Sequence, residues 1–159
     1  MIDAQIGHEK TMTGMLGALA GSNIIYGMGM LELGMTMSYE QLLIDAEIVK
    51  MIRRIIQGIA VNEETLAADI IRAVGPAGTY LAQRHTLKHM RKESSQTKLI
   101  DRASLEAWEK AGSKDMAKRA NEEAKKILET HKPLPLPDAA AREIRSIIEE
   151  AEAEIAERK

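Results

Sequence analysis

A chain of 159 residues with a formal net charge of -2, no Cys, no Phe and 3% aromatic residues excludes several classes at once. Without cysteine there is no disulfide scaffold, zinc ribbon or thiol nucleophile. Without a basic surplus or stacking aromatics, nucleic acid is a poor partner.

Residues 1–37 carry four formal charges, Asp3, Glu9, Lys10 and Glu32, with seven of the 11 Gly and seven of the 10 Met. Residues 11–31 are uncharged and long enough for a bilayer, with Gly17 and Gly21 in GxxxG spacing. Thr11, Thr13, Ser22, Asn23 and five glycines leave the run only weakly apolar, and its far end has no interfacial anchor. Enclosure within a protein is therefore favoured over a membrane span. No basic leader opens the chain, so a cytoplasmic location is expected.

In chain order, Met12, Met15, Leu16 and Leu19 have helical spacing over residues 4–20. Asp3 caps the start and Gly21 suits the C′ position. Ser22-Asn23 reads as a turn and Ile24-Ile25-Tyr26 as a buried strand. Gly27-Met28-Gly29-Met30 follows directly. This is the order of an α/β unit, yet a single strand cannot make a sheet.

The rest reads as helices. Ser38 with Gln41 forms a capping box before a helix that runs to about residue 57 and stops at Gly58. Its wide apolar stripe includes Leu42, Leu43, Ala46, Val49, Met51, Ile52, Ile55 and Ile56. Asn62 caps a helix that ends at Gly75-Pro76. Others are expected over residues 79–92, 102–112 and 113–130, the last capped by Ser113. Pro133, Pro135 and Pro137 force a stiff extended link. Asp138 then caps a terminal helix with Ile144, Ile147, Ile148, Ala151 and Ile155 along one edge. The chain divides by this reading into residues 1–58, 59–132 and 133–159.

Three groups could carry chemistry. His85 and His89 stand four apart, with Glu93 extending the row, but Thr86 occupies the place of the Glu in HExxH. Packing histidines on a polar face are the better reading, and no metal is expected. Asp3, Gln5 and His8 crowd the start of an apolar helix, as capping groups or as polar groups at the mouth of a barrel. Gly27-Met28-Gly29 lacks the third glycine of a dinucleotide fingerprint. It is a close-packed loop filled by Met, or a backbone kept slim so that a large flat ligand can approach. Trp108 reads as a core or interface anchor.

Asp3-Ala4-Gln5-Ile6-Gly7-His8-Glu9-Lys10, Ala20-Gly21-Ser22-Asn23-Ile24-Ile25-Tyr26-Gly27-Met28-Gly29 and Ser38-Tyr39-Glu40-Gln41-Leu42 resemble the C-terminal part of the trimethylamine methyltransferase family. His85-Thr86, His89, Arg91, Asp101-Arg102, Trp108 and Gly112 are similar to that family's C-terminal helices. The resemblance implies a chain that is mainly α as it stands, the C-terminal fragment of a (β/α)8 barrel with appended helices. Residues 24–27 would be the last barrel strand, and the helix from residue 38 would follow it. It implies methyl transfer from trimethylamine, or a quaternary amine of the glycine betaine type, to a corrinoid carried by a partner protein. The catalytic residues would lie upstream. Gln5, His8, Gly27, Met28, Gly29 and Glu32 would form the substrate and corrinoid rim, with no cofactor bound by the chain itself. Some members carry pyrrolysine shortly upstream of the block that matches residues 3–10. A reading frame opened at the first Met after an amber codon, or a cloned fragment, is thus expected, and the DNA just upstream tests it. A homo-oligomer is expected as well. The alternative is a stand-alone helical interaction module that buries residues 1–37 between chains.

Overall fold

α1 (Ala4–Leu19) starts where Asp3 accepts the Ile6 N–H at 3.2 Å. It closes with a Schellman motif, in which Ser22 N–H donates to Gly17 C=O and Gly21 N–H to Ala18 C=O. Gly21 sits at φ +85°, which glycine adopts without a Cβ penalty. The computed structural model describes residues 2–157. Among them no helix is long and apolar enough to cross a membrane. The uncharged run is broken after α1.

The expected strand at residues 24–26 does not form. Ladder pairing instead joins β1 (Met30–Leu31) to β2 (Thr36–Met37), a short antiparallel hairpin. Strand identity belongs to a pair of segments, and the described residues offer residues 24–26 no neighbour.

α2 (Tyr39–Ile56) begins as expected, with the Gln41 N–H on Ser38 Oγ at 3.1 Å. It stops at Gly58, φ +67°. The reciprocal half of the capping box is absent. Ser38 N–H donates instead to Gly29 C=O at 2.9 Å, and the Gln41 amide reaches Asp45. The buried row is Ile44, Ile48 and Ile52, joined by Leu99 and Ala120 and covered by Met15 and Ala18 of α1. This face is rotated from the expected stripe, and Ile55 and Ile56 are exposed. The rotation arises because Gln41 and Asp45, polar by composition, are buried through hydrogen bonds. Glu47 is buried as well, on the Lys98 N–H at 2.9 Å and on Lys50 at 3.1 Å.

Further on, several boundaries shift. Asn62 and Thr65 form a complete capping box at α3 (Glu63–Leu66). Ala67 at φ +50° then breaks the expected single helix before α4 (Ala68–Val74). α5 (Arg84–Glu93) starts late, after turns at residues 76–82. Ser104 caps α6 (Leu105–Lys110). Asp115, not Ser113, caps α7 (Met116–Thr130), because Ser113 is held at φ +50°. The half-buried Trp108 donates its indole N–H to Lys114 C=O at 2.9 Å, and Arg119 donates Nε to Leu99 C=O at 3.0 Å. These contacts belong to a unit that extends to Lys126. A second unit runs from Ile127 and holds α8 (Asp138–Glu157), whose Ile144, Ile147, Ile148 and Ile155 are exposed.

Glu40, in the first turn of α2, couples this fold to pH. Hydrogen bonds from Ser38 Oγ and then from the Asn121 amide hold its carboxyl below its ordinary value of 4.5. A depressed folded-state value stabilises the fold above the unfolded value, and that contribution is lost as pH falls through the folded one. Glu40→Gln should therefore flatten the loss of stability below pH 4.5 in urea titrations. An unchanged pH profile would contradict this role.

Candidate functional site

Asp45 is 4% exposed and binds three parts of the chain together. Its Oδ2 accepts from Lys10 Nζ at 2.5 Å and from the Gly29 N–H at 2.8 Å. Its Oδ1 accepts from Gln41 Nε2 at 2.7 Å. Lys10 Nζ also donates to Gly27 C=O at 3.1 Å. One carboxylate thus joins α1, α2 and the glycine-rich loop. A charge can be buried here because it is paired and its oxygens are hydrogen-bonded.

The loop approaches this closely because residue 29 has no side chain. At φ +77°, a Cβ on Gly29 would stand 2.8 Å from Met37 Cε and 3.0 Å from Leu42 Cβ. Gly27, at φ +100°, meets nothing within 4 Å. The slim backbone at Gly29 therefore serves the chain's own packing, whereas Gly27 faces open space.

Between the hairpin and α1 lies a cleft of about 580 Å³, lined by Ile6, Glu9, Lys10, Leu31, Glu32 and Thr36 among others. Glu32 and Leu33 both take left-handed backbone, at φ 50° and 53°, which is strained for residues with a Cβ. The Glu32 carboxylate accepts from Thr36 Oγ1 at 2.7 Å across this turn. Lys10 also borders a cavity of about 90 Å³ with Gly27, Met28 and Asp45, so the residue lines both spaces.

The trimethylamine methyltransferase family model matches residues 1–156. The chain belongs to the trimethylamine methyltransferase family. It is 53% identical over 152 residues to the trimethylamine methyltransferase of Desulfitobacterium hafniense, covering 96% of this chain and 30% of that protein. A trimethylamine methyltransferase of Methanosarcina mazei is 47% identical over 150 residues, covering 94% of this chain and 30% of the relative. A glycine betaine methyltransferase of Desulfitobacterium hafniense is 32% identical over 157 residues, covering 98% and 33%. The chain spans about a third of the length of these relatives.

In this trimethylamine methyltransferase family chain the expected rim residues are dispersed. Glu32 lines the larger cleft, Gly27 and Met28 line the smaller cavity, and Gly29 is buried on Asp45. Gln5 is exposed and donates to Glu9 Oε1 at 2.8 Å. His8 is exposed and lines neither space. Lys10, Gln41 and Asp45 escaped the reading of the sequence. One signal could have found the pair: Lys10 is the single cation in residues 1–37, and a cation in a segment due to be enclosed needs an acid.

The histidine pair lies in a separate polar cluster. His85 Nε2 is 2.8 Å from Glu64 C=O, and His89 stands 3.6 Å from a Glu64 oxygen and 3.9 Å from a Glu93 oxygen. The two rings are 4.2 Å apart. Lys88 pairs with Glu64, and Arg54 with Glu93. Among the described residues no three such groups are placed to hold a metal ion.

Proposed function

We propose that this chain is the C-terminal part of an amine:corrinoid methyltransferase. The enzyme moves a methyl group from trimethylamine, or a quaternary amine of the glycine betaine type, to a corrinoid carried by a partner protein. The observation that carries this reading is the 53% identity to a trimethylamine methyltransferase over 96% of the chain. The 32% identity to a glycine betaine methyltransferase makes trimethylamine the favoured donor. In this reading residues 24–27 stand for the last strand of a (β/α)8 barrel and α2 for the helix after it. Residues 27–32 then belong to the C-terminal rim, where barrel enzymes hold their chemistry.

The transfer would break one N–C bond of protonated trimethylamine or of a quaternary ammonium, with the electron pair kept by nitrogen so that a neutral amine leaves. The reduced corrinoid would supply the electron pair that takes up the methyl group. The transfer therefore depends on holding the amine and the corrinoid, which is the second substrate, in fixed alignment. This chain's part is positional. Asp45 and Lys10 fix the loop at Gly27 and Gly29, and so set the direction of the chain into Glu32. Glu9 and Glu32 supply carboxylates beside the cleft, which suit a cationic amine, but no aromatic side chain lines it.

The chain alone should therefore be inert. Purified chain, incubated with a reduced corrinoid protein and either trimethylamine or glycine betaine, should give no methyl-corrinoid absorbance change. Turnover by the chain alone would show that the amine site is complete within it.

A further inference from the structure

We infer that α8 is the joint of a homodimer, in which two copies of this chain pair their C-terminal helices antiparallel. Ala141, Ile144, Ile148, Ala151 and Ile155 recur at alternating spacings of three and four. That is the a/d seam of a coiled coil over two heptads. The seam is uncovered. Every residue from Ala141 to Glu157 is exposed, with Ile148 at 44%, Ile144 at 47% and Ile155 at 59%. A helix of 20 residues whose apolar stripe lies in water is marginal by itself. Covering that stripe is what would stabilise it.

Charge and side-chain volume together fix the occupant and its direction. From Glu149 to Glu157 the helix carries five glutamates and no base, whereas its first half holds Arg142 and Arg145. A parallel pair would align the two acidic halves. It would also lay Ala151 on Ala151, leaving a gap in the seam. An antiparallel pair centred between Glu149 and Glu150 sets Ile144 against Ile155 of the second copy. It sets Ile148 against Ala151, large on small, so that the layers interdigitate. At the flanking e positions Arg145 then meets Glu152 of the second copy, and two-fold symmetry repeats the pair. Among the described residues neither Arg145 nor Glu152 is ion-paired within the chain. A lipid surface is the poorer occupant, because helices that lie on membranes carry Lys and Arg on the polar face. Here that face is mostly glutamate.

Two heptads make a weak pair, so the test is concentration-dependent. Sedimentation equilibrium of the full chain should show monomer passing to dimer across the micromolar range. Ile144→Lys with Ile148→Lys should weaken dimerisation by about tenfold or more, since each copy would bring two charges into the seam. Both side chains are exposed in the single chain, so the circular dichroism of the dilute protein should not change. Arg145→Glu should weaken the dimer by about threefold or more, and adding Glu152→Arg should restore it.

The chain has no Cys, so introduced thiols report the direction. Ile144 and Ile155 stand about 16 Å apart along one helix, too far for a disulfide within it. Ile144→Cys with Ile155→Cys should therefore oxidise to a covalent dimer, whereas Ile155→Cys alone should not. A chain that stays monomeric into the millimolar range overturns the inference, whether α8 then takes phosphatidylglycerol vesicles or the remainder of a family protein. So does a dimer that the paired Ile variant or the charge reversal leaves intact, and so does ready cross-linking through Ile155→Cys alone.

Discussion

Asp45→Ala should lower the urea midpoint of the chain sharply, a loss of about 3 kcal/mol or more. The substitution leaves the Lys10 ammonium, the Gly29 N–H and the Gln41 amide without their shared acceptor. Breaking a buried ion pair from one side costs about 3–5 kcal/mol. The lower end applies here because the Lys10 side chain keeps 25% of its surface in water. Asp45→Asn retains the volume but gives up the charge and one acceptor, so a smaller loss of about 2 kcal/mol is expected. Asp45→Leu together with Lys10→Met removes both charges at once and should be less harmful than Asp45→Ala alone. Equal midpoints for Asp45→Ala and the parent chain would show that the network carries no stability.

Gly29→Ala should cost roughly 2–4 kcal/mol, since overpacking and left-handed backbone both oppose it. At φ +77° the new Cβ would press on Met37 Cε and Leu42 Cβ. Gly27→Ala is the natural comparison. Its φ of +100° imposes the backbone cost, but its Cβ would meet nothing within 4 Å. The Gly29 variant should thus melt well below the Gly27 variant. Adding Met37→Ala to Gly29→Ala should restore part of the loss, because Met37 supplies the closest contact. If the two glycine variants melt together, close packing at Gly29 is not what holds the loop down.

What could be read in the sequence was mostly local. The caps at Asp3, Ser38 and Asn62 and the stops at Gly21, Gly58 and Gly75 depend on one side-chain oxygen or one positive φ, which a few neighbouring residues determine. Features set by partners were hidden. Residues 24–26 have strand composition and strand alternation but no ladder, because pairing comes from outside the segment. α2 turns a different face inward because Gln41 and Asp45 bond to each other and to the glycine loop, which hydropathy does not register. The left-handed residues Glu32, Leu33 and Ala67 carry side chains that do not announce such backbone. At the candidate site, the glycine loop and Glu32 stood out by composition. The pair that fixes the loop did not, since Lys10 and Asp45 lie 35 positions apart.

A hybrid in which this chain replaces the matching region of the Desulfitobacterium hafniense trimethylamine methyltransferase would test the functional assignment most directly. The measured quantity is methyl transfer from trimethylamine to the corrinoid protein. An active hybrid that loses most of its kcat on Asp45→Asn is predicted. A hybrid that folds and keeps the parent enzyme's assembly state, yet transfers no methyl group, would contradict the assignment.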